Sequence, residues 1–126
     1  YAYRPAEGVR TTAQVYVHVA GGNYGIPRMA GAAPAPGVTW ARDAERTMTD
    51  KAQIVAALRA SFAYVKQAVA SVAESELGAP VNLFGRPSTK GGVLVLLATH
   101  AHEHLGQAIA HARASGVVPP WSRGGD

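Results

Sequence analysis

The sequence predicts an all-α fold, an antiparallel bundle of long helices. Apolar residues recur at helical spacing in three separate stretches. Alanine, the strongest helix former, is abundant along them. No stretch alternates apolar and polar residues at period two for long enough to build a sheet.

The first helix opens after RPAEGVRTT, where the hydroxyl of Thr11 or Thr12 can accept from an orphan N–H of the first turn. Val15, His18, Val19, Gly22 and Ile26 then share one face. Pro27 kinks or ends the helix, because its ring clashes with the preceding turn. GAAPAPGVTW, broken by prolines and glycines, reads as an irregular loop. The second helix starts near Thr49 or Asp50 and runs through KAQIVAALRASFAYVKQAVASVAESEL, with Gly78 and Pro80 closing it. Its expected buried stripe is Ile54, Leu58, Phe62, Val65 and Val69, with Lys51, Arg59 and Lys66 off that stripe.

GAPVNLFGRPSTKGG reads as a further loop, with a short extended piece at Val81–Phe84. Ser88 or Thr89 opens the third helix, GGVLVLLATHAHEHLGQAIAHARAS, and Gly116 ends it as a left-handed cap. Consecutive prolines make the tail VVPPWSRGGD extended. Tyr24, Trp40 and Tyr64 read as core aromatics, with pocket lining as the alternative. Three helices give a thin core. Because residue 1 is Tyr rather than Met, a preceding segment is expected, which would supply a fourth helix or a signal peptide.

At 126 residues the chain is one domain's worth, and 48% hydrophobic residues are enough for a core. The net charge of +4 comes from scattered Lys and Arg, with no basic run to track a phosphate backbone, so a nucleic-acid partner is not expected. Without cysteine, disulfides, thiolate metal sites and Cys nucleophiles are excluded. No apolar run is long enough for a membrane span. The compartment is not written in these residues: a cytoplasmic location is the expectation, with export if a signal peptide preceded Tyr1.

THAHEHLGQ, residues 99–107, places histidines in an otherwise apolar helix. His100 and His104 lie one turn apart on the side shared by Val93, Leu97, Ala101 and Ala108, so the pair faces the interior. His102 projects the other way, into solvent. His111 continues the stripe but stands about 10 Å beyond His104, at ~1.5 Å rise per residue, too far to share an ion. An i, i+4 pair can chelate a divalent cation, and a third ligand has to come from another element. The histidine outside this helix is His18, on the apolar stripe of the first helix. Two readings stand side by side: core histidines satisfied by backbone carbonyls, or a metal site. The HExxH pattern of metalloproteases is absent, because Gly106 stands where its second histidine belongs. Glu103 reads as an exposed helix residue, with hydrogen-bonding support of the histidines or a general-base role as the alternatives. Gln107 returns close to the histidine face and reads as hydrogen-bonded there. Arg4, Arg10 and Arg86 read as solvated, holding a substrate carboxylate being the alternative.

YRPAEGVRT, VHVAGGNY and LLATHAHEHLGQAIAHARASGVVPPW resemble the DinB-like superfamily of bacterial helical-bundle proteins, and the likeness covers Tyr3 to Ser122. The resemblance implies a four-helix bundle, commonly a homodimer, whose leading helix would precede Tyr1. It also implies one divalent metal ion, Zn, Ni, Fe or Mn, held by His18, His100 and His104. Some relatives are metal-dependent transferases or isomerases that use low-molecular-weight thiols such as bacillithiol or mycothiol. A small-molecule thiol substrate is therefore implied here. The rival expectation is a non-catalytic binding or dimerisation bundle whose metal is structural or absent.

Overall fold

The computed structural model describes residues 1–123. Helix α1 (Thr12–Met29) is followed by a long connection carrying the short helix α2 (Ala44–Thr47), then by α3 (Lys51–Ala70). A hairpin of β1 (Pro80–Leu83) and β2 (Arg86–Thr89) leads into α4 (Lys90–Ala114). Helix α1 is the central element: α3 and α4 both pack on it rather than chiefly on each other. Among the described residues, no helix is long and apolar enough to cross a membrane.

Local chemistry sets each boundary. Thr11 caps α1 through a capping box: its hydroxyl accepts from the Gln14 N–H at 3.2 Å, and its own N–H donates to Gln14 Oε1 at 2.8 Å. Asp50 caps α3 and Thr89 caps α4 by a single side-chain bond each, accepting from the N–H of Gln53 and of Gly92. Pro27 lies inside α1, which runs two residues further, to Met29. The proline is buried near the helix end, where few intrahelical hydrogen bonds remain to be lost. Gly116 takes the left-handed conformation (φ 77°) after Ser115.

The structure corrects several expectations. Helix α3 stops at Ala70 rather than running to Leu77, and a single 3₁₀ turn follows at Glu74–Glu76. The carbonyls of Leu77 and Ala79 are needed elsewhere, accepting from Gly91 N (2.8 Å) and Lys90 N (3.0 Å) to dock the start of α4. The segment expected to be loop is a hairpin in which Val81 pairs with Ser88 and Leu83 with Arg86. Its four-residue strands are too short to show a periodic pattern, and the turn uses Phe84 and Gly85 at positive φ. Helix α2, within the loop region, is a single turn without a side-chain cap. The tail makes a 3₁₀ turn at Pro120–Ser122 instead of remaining extended. Its last residues, 124–126, lie outside the described ones.

The buried face of α3 is also rotated from the expected stripe. Ile54, Ser61, Tyr64 and Ala68 are buried, whereas Phe62 and Val69 are about 40% and 39% exposed. A buried hydrogen bond explains the shift: Asn23 of α1 donates from Nδ2 to Ser61 Oγ at 3.0 Å, and Ser61 donates to the Leu58 carbonyl at 2.8 Å. Polar residues paired this way are invisible to a hydrophobic-periodicity reading. Tyr24 and Tyr64 form a core cluster against which Trp40 packs. The Tyr64 hydroxyl ties down the Pro-rich loop by donating to the Ala33 carbonyl at 2.7 Å.

Candidate metal centre

Adjacent glycines in the middle of α1 are costly for a helix, at about 1 kcal/mol each relative to alanine. Here each makes room for a ring. A Cβ on Gly21 would lie 2.7 Å from Trp40 Nε1, and one on Gly22 would lie 2.4 Å from His100 Cε1. The second close approach lets α4 press its histidines against α1.

His18, His100 and His104 meet at this contact as a triangle of rings. Centroid separations are 5.1 Å for His18–His100, 4.7 Å for His18–His104 and 4.6 Å for His100–His104. One nitrogen from each ring lies within 4.8 Å of the others, a group able to hold a metal ion. His104 is buried, and His18 and His100 are half-buried, so the cluster sits at the margin of the interior rather than deep within it. His102 is exposed. His111 is buried apart from the cluster, its Nδ1 3.2 Å from Thr12 Oγ1 and its ring edge-on to Tyr3.

Hydrogen bonds fix which nitrogens point inward. Nδ1–H of His18 donates to Glu45 Oε1 at 2.6 Å, and Nδ1–H of His104 donates to Gln107 Oε1 at 2.8 Å. An acceptor on Nδ1 puts the proton there and leaves the Nε2 lone pair free. Nε2 of His18 faces Nε2 of His100 at 3.2 Å. Two imidazole nitrogens on one tetrahedral ion, each ~2.0–2.1 Å away, would be separated by about 3.3–3.4 Å. The observed spacing is within about 0.2 Å of that edge. His100 Nδ1 is buried without a hydrogen-bond partner among the described residues.

Electrostatics favour neutral imidazole at the centre of the group. Burial, the neighbouring His104 and His18, and a smaller contribution from Arg10 lower the pKa of His100, and nearby Glu103 opposes them only in part. Burial pushes Glu45 upward, but its hydrogen bonds to Arg10 and His18, helped by their charges, outweigh this and hold its carboxyl below the ordinary value. The Arg10 guanidinium completes the relay, with Nε 2.8 Å from Glu45 Oε2.

Gln107 thus reaches His104, whereas Glu103 is exposed and makes no side-chain hydrogen bond among the described residues. Sequence reasoning missed Glu45. It lies 27 residues from His18, in a loop without periodicity, and only the turn of α2 brings it back over α1.

The fold and this cluster define a class: a helical protein with a three-histidine group suited to a divalent cation. A family model of the DinB superfamily matches residues 1–108, and the chain belongs to that superfamily. No curated protein and no solved structure matches it.

Proposed function

We propose that the chain binds one divalent transition-metal ion through Nε2 of His18, His100 and His104, and that this ion serves a reaction rather than a purely structural role. The convergence of one nitrogen from each of three imidazoles, all within 4.8 Å of one another, carries the reading. The donor set suits Zn, Ni, Fe or Mn, all of which accept imidazole. Support on both outer nitrogens, from Glu45 and Gln107, is the arrangement that orients imidazole ligands and raises their basicity.

Among the described residues no fourth His, Cys, Asp or Glu joins the group. Three protein ligands leave coordination positions for water or substrate, whereas structural zinc sites are closed by a fourth. A cation held in this way lowers the pKa of a bound water or thiol. The chain's own contribution is to aim three imidazoles at one point, to favour the neutral form of His100, and to keep the Glu45 carboxylate beside them. Superfamily membership and the open donor set support a metal-dependent thiol transferase or isomerase acting on a low-molecular-weight thiol, in a homodimer.

Elemental analysis of the purified chain by inductively coupled plasma mass spectrometry tests the metal reading, with His18→Ala and His104→Ala alongside. The expected result is near-stoichiometric metal that both substitutions abolish. Metal that survives His18→Ala would reduce the site to the pair on α4. No metal after reconstitution would leave a binding or dimerisation bundle.

A further inference from the structure

Beside the histidine cluster lies an open cavity of about 650 Å³, with Arg4, Arg10 and His111 on its wall together with Gln14, Glu45 and Gln107. Its size is within the ~300–1,000 Å³ of small-molecule sites. Arg86, on β2, is not part of it. The sequence offered Arg4, Arg10 and Arg86 as solvated side chains or as holders of a carboxylate, and the fold brings the first two to one recess.

We propose that this cavity binds a small organic monoanion through its carboxylate. Both guanidinium groups are held in place yet retain donors. Arg4 donates to the Val9 carbonyl and to Gln14 Oε1, which anchors it at the rim. Arg10 uses Nε on Glu45, and its two terminal nitrogens make no hydrogen bond among the described residues. A planar fork with free N–H groups matches the two oxygens of a carboxylate. The balance of charge selects the anion: two guanidinium groups less the Glu45 carboxylate leave a single positive charge on these three side chains, enough for a carboxylate and too little for a phosphate dianion. The side-chain NH₂ groups of Gln14 and Gln107, whose oxygens are already engaged, give the rest of the wall donors suited to hydroxyl groups on the same ligand.

Glu45 and Gln107 belong to both places, lining the cavity and holding His18 and His104. That the anion is a substrate or product of chemistry at the histidines rests on the metal reading. Its binding does not.

The test is a titration of gluconate, a hydroxylated monocarboxylate, into the metal-free, isotope-labelled chain, following the arginine Nε–H resonances by NMR. Inorganic phosphate is run in parallel. Saturable shifts at Arg4 and Arg10 are expected, with affinity at least about tenfold weaker in Arg4→Gln and in Arg10→Gln, and unchanged in Arg86→Gln. Arg10→Lys, which keeps the charge and loses the fork, falls between. Shifts that do not saturate, equal affinity in the variants, or phosphate binding tighter than gluconate would each overturn the assignment. Because no metal is present, a chain that takes no zinc can still pass this test, and a chain that takes zinc can still fail it.

Discussion

Replacing Gly22 by alanine separates the stability of α1 from the affinity of the histidine group. The added Cβ would lie 2.4 Å from Cε1, 3.0 Å from Nδ1 and 3.2 Å from Nε2 of His100. Ordinary contact begins near 3.4 Å, so the ring has to retreat by about 1 Å. Metal–ligand distances tolerate only about 0.2 Å. His100 therefore leaves the coordination position, and zinc affinity falls at least about tenfold, or ~1.4 kcal/mol. The metal-free protein behaves differently, because a half-buried ring can swing outward while the helix gains up to about 1 kcal/mol from the lost glycine. The assay is competition with a chromophoric zinc chelator, paired with thermal melts of the metal-free chain. Gly25→Ala is the control: among the described residues nothing lies within 4 Å of its Cβ, so it should gain the helix term and keep its affinity. If Gly22→Ala binds zinc as tightly as the parent, His100 is not a ligand and the reasoning fails.

Further outcomes follow from the same contacts. Glu45→Gln removes the carboxylate from His18 Nδ1 and should weaken zinc binding about tenfold in the same competition assay, without lowering the melting temperature of the metal-free chain by more than a few degrees. Tyr64→Phe leaves the Ala33 carbonyl without its donor and should cost about 1 kcal/mol, read as a melting temperature lower by about 3–6 °C. Thr11→Ala removes one half of the capping box and should cost about 1 kcal/mol by denaturant titration; no change would mean that the first turn of α1 is held by its other contacts. Acid should destabilise the metal-free chain in a definite window. The folded-state pKa of His100 lies below its ordinary 6.5, so the unfolded chain takes up the proton first, and stability present above that value is lost as pH falls towards the folded pKa. Melts that stay constant between about pH 7 and 5.5 would contradict this.

The long helices and their caps could be read from the sequence because local chemistry decides them. Thr11, Asp50, Thr89 and Gly116 act within their own turns, and the i, i+4 spacing of His100 and His104 is a property of one helix. The elements that were missed answer to distant partners. Ser61 is buried because Asn23 waits for it on another helix, and α3 ends early because Leu77 and Ala79 serve α4. The extended piece at Val81–Phe84 overlaps β1, whereas β2 and its pairing are too short to leave a periodic pattern. The same division runs through the site. The three histidines and Gln107 stand on periodic helices, whereas Glu45 rests on a single turn whose position over α1 is decided by packing of Ala44 with Val17 and Ile54.

The central position of α1 also bears on how the chain assembles. This helix comes early in the sequence, yet its two partners arrive in unequal order. Helix α3 needs only one intervening loop to be closed, whereas α4 meets α1 through pairs as remote as His18–His100, 82 residues apart, and Thr12–His111, 99 apart. Closing the longer loop costs additional chain entropy. Assembly should therefore proceed through an α1–α3 hairpin, with α4 docking last and coming away first. The histidines lie on the two sides of that final seam, so an ion bound there acts as a clasp on the last step and contributes its binding energy to closure. For this chain, a bound metal would slow the release of α4 while leaving the α1–α3 pair much as it is.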